Sequence, residues 1–262
     1  MRLPVIVTLL LMCAAASAGV LEGARQAGIL RVGLDYVPPV YKGGMKFRTP
    51  EGVDTVLADD LAAQLKLRSD SVKVGPAGDA MQSLKRGRAD LVLTLASAGE
   101  VLPADTVAIA TGYSAGGMAI MRTDTNIKKW EDLKGRTVCV SEGAPYVGTL
   151  ALRYGAVEKV MRAPADSLLA VRVGECDAAV HDDTMMKELF KLPEWKKFSA
   201  QLVPTSRQQL VLQVRGADPA DLDALRQAAA RWNDAYWVAV KKKWVNNVAF
   251  EVYLDQNVPD CH

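Results

Sequence analysis

The chain has 262 residues, half of them hydrophobic and 24% charged, with a formal net charge of +2. That length gives one large domain or two lobes of about 100 to 150 residues each. The near-balanced charge and the lack of a long basic block argue against a nucleic-acid partner. Lys241, Lys242 and Lys243 read as a solvated helix face.

In chain order, the first element is a leader. Arg2 precedes an apolar run from Leu3 to Ala16, and Ala16, Ser17 and Ala18 form a small-residue exit. This is the layout of a secretory signal peptide over residues 1–18, and the run is too short for a good membrane span. The alternative, acylation at Cys13, is disfavoured by the bulky Met12 before it. The mature chain is therefore expected to be periplasmic and not inserted in a membrane. It keeps Cys139, Cys176 and Cys261, enough for one disulfide and one remaining thiol. His181 and His262 are the only histidines, so no metal site or cofactor is expected.

A helical stretch from Leu21 to Ala27 leads into an apolar strand, Ile29 to Gly33, and Pro38 and Pro39 then impose a loop. Val56, Leu57, Leu61, Ala62 and Leu65 recur at helical spacing. Strands are expected at Val72–Val74 and Asp90–Leu95, with a helix from Asp79 to Arg86 between them. The alternation then repeats. Strands at Gly116–Arg122, Thr137–Ser141, Val157–Val160 and Asp177–His181 are separated by helices at Trp130–Leu133, Tyr146–Tyr154 and Pro164–Val173. A strand at Gln208–Val214 and helices over Pro219–Lys243 complete the chain. Apolar strands alternating with helices imply an α/β fold with mostly parallel sheets flanked by helices. Two successive units imply two lobes with a cleft between them. In such sheets ligands sit beyond the carboxyl ends of the strands. Those ends are at Asp35 and Tyr36, Thr94 to Ser97, Ser141 to Ala144, and His181 to Asp183.

Four segments, LRVGLDYVPPVY, SLKRGRADLVLTLAS, WEDLKGRTVCVSEGAPY and GECDAAVHDD, together resemble the family 3 periplasmic solute-binding proteins, the receptors of polar amino-acid ABC importers. The resemblance spans nearly the whole mature chain. It implies a two-lobed type II binding-protein fold with two hinge crossings. Lobe 1 would comprise residues 19–111 and 206–262, and lobe 2 residues 112–205. It also implies a monomer that takes a small polar solute and delivers it to an inner-membrane permease.

Carried over by position, the resemblance places Asp35, Tyr36, Thr94 and Ser97 on the first-lobe side of the cleft. Glu142, Gly143, Ala144 and Tyr146 would form the second-lobe turn at a helix start, where free amides favour an anionic group. Asp182 would hold an ammonium group, leaving Asp183 to cap the following helix. Tyr41 and Tyr113 are further cleft candidates. Cys139 and Cys176, on neighbouring strands of the second lobe, are favoured as a disulfide over a pairing with Cys261. One departure matters. The family's carboxylate-clamping arginine is replaced by Leu102, and no basic residue occurs from Ala98 to Ala110. With Glu100, Glu142, Asp182 and Asp183 nearby, an acidic cleft suited to a cationic or amino-acid-like solute is expected.

No catalytic residue is expected. His181 has no nucleophile motif beside it and reads as structural or cleft-lining. Two other readings stay open: an accessory binding-fold protein of a periplasmic dehydrogenase system, and a secreted dehydratase of the cyclohexadienyl type using Glu142 or Glu100 as its acid.

Overall fold

The computed structural model describes residues 19–256 other than 76, 97, 98 and 100. The expected leader, Ser97, Glu100, Cys261 and His262 lie outside the described residues.

Two five-stranded sheets form two lobes. In the first, β1 (Ile29–Leu34), β2 (Arg68–Lys73), β3 (Leu91–Ala96), β4 (Thr106–Ala115) and β10 (Gln208–Arg215) take the order β2-β1-β3-β10-β4. In the second, β5 (Gly117–Met121), β6 (Thr137–Ser141), β7 (Val157–Met161), β8 (Ala178–Asp182) and β9 (Ala200–Gln201) take the order β7-β6-β8-β5-β9. β1 is parallel to β2 and β3, and β6 is parallel to β7 and β8. β10 runs antiparallel to β3 and β4, and β5 antiparallel to β8. The antiparallel strand in each sheet is the one that arrives from the other lobe. The chain leaves the first sheet at Ala115, enters the second at Gly117, and returns through residues 202–207.

Each sheet is covered on both faces. Side chains alternate between faces along a strand. Leu30, Val32, Leu34, Leu91 and Leu93 accordingly share one core cluster with Leu21 of α1 (Val20–Ala27), Leu57 and Leu61 of α2 (Asp54–Gln64) and Leu225 of α7 (Pro219–Ala229). On the opposite face Val74 and Val92 meet Ala80 and Leu84 of α3 (Ala77–Lys85). In the second lobe Val138, Val140, Ala178 and Val180 pack with Leu150 of α4 (Thr149–Tyr154). The other face looks onto α5 (Pro164–Arg172) and α6 (Asp183–Leu189). The last helix, α8 (Asp234–Leu254), packs on both α5 and α6. Its Trp244, Val248 and Val252 share a cluster with Leu168, Met185, Met186, Leu189 and Trp195. The last helix of the chain thus completes the core of the second lobe.

Three expectations change. β4 went unread as a strand, and because it runs to Ala115 the expected boundary at 111/112 falls inside it. β10 pairs with it from end to end across a bulge, but exposed residues interrupt its apolar pattern. The helix expected from Tyr146 begins only at Thr149, after a turn that includes Pro145 and a left-handed Gly148. The final helix continues eleven residues past Lys243 to Leu254. Cys139 and Cys176 do form a disulfide, with Cα atoms 5.9 Å apart and both side chains buried. Among the described residues, no helix is long and apolar enough to cross a membrane.

Candidate functional site

The carboxyl ends of β1, β3, β6 and β8 converge where the lobes meet. From the first lobe, Tyr36 reaches across. Its hydroxyl donates to Glu142 Oε2 at 3.3 Å. Its ring lies so close to Gly143 that a Cβ added there would stand 2.5 Å from the ring carbons. Gly143 has φ +78°, a conformation that L side chains disfavour by about 1–2 kcal/mol. Glycine is therefore required here both by backbone and by space. Gly143→Ala is expected to cost about 2 kcal/mol and to push Tyr36 off the second lobe, read as a lowered urea midpoint.

Asp35 is exposed beside Tyr36 and forms no hydrogen bond or ion pair among the described residues. Partial loss of hydration raises its carboxyl above the ordinary value. Burial likewise pushes up the nearby Asp54, to about 6, with Asp35 adding to the shift. Glu142, opposite, is exposed and holds only the Tyr36 hydroxyl by its side chain among the described residues. Thr94 is buried within the first sheet, paired with Val211. A cavity of about 250 Å³ opens beside Tyr36 between the lobes, with Tyr41, Thr55, Lys46, Arg48 and Arg162 on its walls. Arg48 and Lys46 there are paired with Asp166 and Asp255.

The second-lobe turn differs from expectation. The Glu142 amide is used on Met161 O at 2.7 Å and the Ala144 amide on Ser141 O at 3.1 Å. Because α4 begins later, this turn is not a helix start, and of the four expected residues only Gly143 and Tyr146 keep amides without an acceptor among the described residues. Ala144 is buried. The Tyr146 ring packs over the outgoing crossing, where a Cβ on Gly117 would stand 2.8 Å from it. Burial, then the Asp182, Glu51 and Asp183 carboxylates, raise its hydroxyl well above the ordinary tyrosine value.

The aspartate pair reverses the expected division of labour. Asp182 is the residue that caps α6. Its Oδ1 accepts from the Thr184 amide and hydroxyl, both at 2.7 Å, and its Oδ2 from the Tyr113 hydroxyl at 2.6 Å. Only 6% of it is exposed, and burial raises its carboxyl to about 6 despite those donors. Both acceptor oxygens are occupied by the protein itself. Asp183 is fully buried and accepts from the Gly116 amide at 3.0 Å and from Lys187 at 2.6 Å. Arg207, on the return crossing, also donates to Asp183 and reaches the Ser114 carbonyl and hydroxyl. Burial would raise the Asp183 carboxyl, but Lys187, Gly116 and Arg207 hold it below the ordinary value.

His181 is wholly buried. Its Nδ1 lies 2.7 Å from Glu51 Oε2 and its Nε2 2.9 Å from Ser167 Oγ. Serine, histidine and carboxylate in this order are the members of a nucleophilic relay. Ser167 is as buried as the histidine, so no substrate atom can approach it in this arrangement. Glu51 also accepts the Asp182 amide at 3.2 Å. Sequence reasoning missed Glu51, Ser167, Thr184 and Arg207. The only local hint was Arg207, the lone basic residue of the return segment.

No protein-family model matches the sequence, and no curated protein matches it. Solved structures do. An ancestral cationic amino-acid solute-binding protein, AncCDT-1, superposes with a TM-score of 0.56 at 21% identity, covering 86% of this chain and 99% of that one. Holo ArgBP from T. maritima gives 0.51 at 20% identity, covering 85% and 99%. The GluR0 ligand-binding core in complex with L-glutamate gives 0.54 at 15% identity, covering 83% and 98%. The chain has the two-lobed type II periplasmic-binding-protein fold. These likenesses establish the architecture.

Proposed function

We propose that the protein is a periplasmic solute-binding protein that captures a small cationic or amino-acid-like solute between its lobes and delivers it to an inner-membrane ABC permease. The observation that carries this reading is the contact of Tyr36, the neighbour of Asp35, with Glu142 of the other lobe, which brings an exposed carboxylate from each lobe to the same cleft. Asp35 stands on one lobe and Glu142 on the other, with Tyr36 between them. A charge-assisted hydrogen bond from an ammonium or guanidinium group suits both acids. The replacement of the usual clamping arginine by Leu102 supports the same choice, because it removes one cation that would compete for those acids. The fold likeness to amino-acid-binding proteins supports a binding role without covalent chemistry.

The test is a thermal-shift series on the mature protein with cationic, zwitterionic and anionic solutes. A true ligand at 100 times its dissociation constant adds about 2.7 kcal/mol, or roughly 5–10 °C for a chain this long. Asp35→Asn and Glu142→Gln are each expected to weaken a cationic ligand about 10- to 100-fold. A series in which no solute raises the melting temperature would sink the reading.

A further inference from the structure

We propose that Glu51 locks the two lobes together, so that the closed arrangement persists whether or not the cleft holds a solute. Glu51 belongs to the segment between β1 and α2 of the first lobe, yet its side chain is buried in the second. There it takes the His181 ring through Oε2 and the Asp182 amide through Oε1. His181 passes the connection on to Ser167 of α5. One first-lobe carboxylate therefore satisfies the ends of two second-lobe elements, with none of these groups open to water.

The residues on either side of Glu51 are held in turn. The Thr49 amide and hydroxyl donate to Glu251 Oε1 at 2.9 and 2.6 Å, and Trp244 Nε1 donates to Pro50 O at 3.1 Å. Both partners lie on α8, which packs on α5 and α6. Arg48 adds a 2.8 Å bond to Asp166 at the start of α5. Hinge opening would have to withdraw Glu51 from an apolar site and leave His181 and the Asp182 amide without their acceptor. Buried polar groups stripped of partners are strongly disfavoured. The contact at the cleft mouth, Tyr36 to Glu142, is by contrast exposed and longer.

Small-angle X-ray scattering on the full mature protein tests this directly. Without solute, the wild type is expected at a radius of gyration of about 17–18 Å, the value for a compact chain of this length. Any solute that raises the melting temperature should leave that radius unchanged. Glu51→Ala is expected to enlarge the radius and to speed amide exchange in β8 and α5 at least 100-fold. Glu51→Gln should restore both, because its amide can still accept from Asp182 and pair with His181. A wild type that is expanded when empty and contracts on binding overturns the proposal. So does a folded Glu51→Ala protein with the wild-type radius and only a lower melting temperature. The wild-type measurement decides the matter even if Glu51→Ala does not fold. Solute binding is read separately from melting, so failure of the lock and failure of the binding role give different results.

Discussion

Replacing Cys139 and Cys176 together by alanine is expected to lower stability by about 3–4 kcal/mol and the melting temperature by roughly 10 °C. The bridge closes a loop of 37 residues in sequence separation, and constraint of the unfolded chain grows with loop length. It ties β6 to the turn that feeds β8, and β8 carries His181 and Asp182. Both sulfurs are buried, so alanine is preferred to serine, which would bury two new hydroxyls. Calorimetry with and without reductant checks the claim. Reductant should lower the wild-type transition toward that of the double variant and leave the variant itself unmoved. Equal transitions in wild type and variant would show that the bridge adds nothing.

Asp182→Asn is expected to change how stability depends on pH, by about 2–3 kcal/mol between pH 4 and pH 7. The folded carboxyl titrates at about 6, against about 3.9 for an unfolded aspartate. Between those values the folded state keeps a proton that the unfolded state has released, so wild-type stability falls as pH rises through this window. Asparagine can still cap α6 and bond to Tyr113, but it has no proton to lose. The difference between variant and wild type should therefore grow in the variant's favour from pH 4 to 7. Asp54, also raised to about 6, and the raised Asp35 and Glu251 contribute with the same sign, so the variant should remove only part of the wild-type slope. Urea unfolding at several pH values measures it. A pH-independent difference would mean that Asp182 is not held above its ordinary value.

The strands and helices were legible because burial on both faces leaves uninterrupted apolar runs, as in Leu91 to Leu93 and Val138 to Val140. β4 was not, because its residues 106–115 alternate small, polar and exposed positions, a pattern also found in loops. Asp35 and Glu142 do stand just after apolar strands, where the sequence put them. The roles of Asp182 and Asp183 were not. Either could cap a helix starting Asp-Thr-Met-Met, and only the tertiary approach of Tyr113 and Arg207 distinguishes them. Glu51 carried no signal at all. It sits in a turn-like stretch, and its partners lie 130 and 131 residues away in sequence. Long-range polar pairing leaves no periodicity to read.

The packing of α8 on α5 and α6 has a consequence for how the chain acquires its structure. Met185, Met186, Leu189 and Trp195 are covered only when the last 21-residue helix arrives. During synthesis the second lobe is made before that helix exists. It must therefore wait, with an apolar face open, until the C-terminal segment has emerged. The two lobes are separate sheets, yet the core of the second is complete only when the end of the chain is in place.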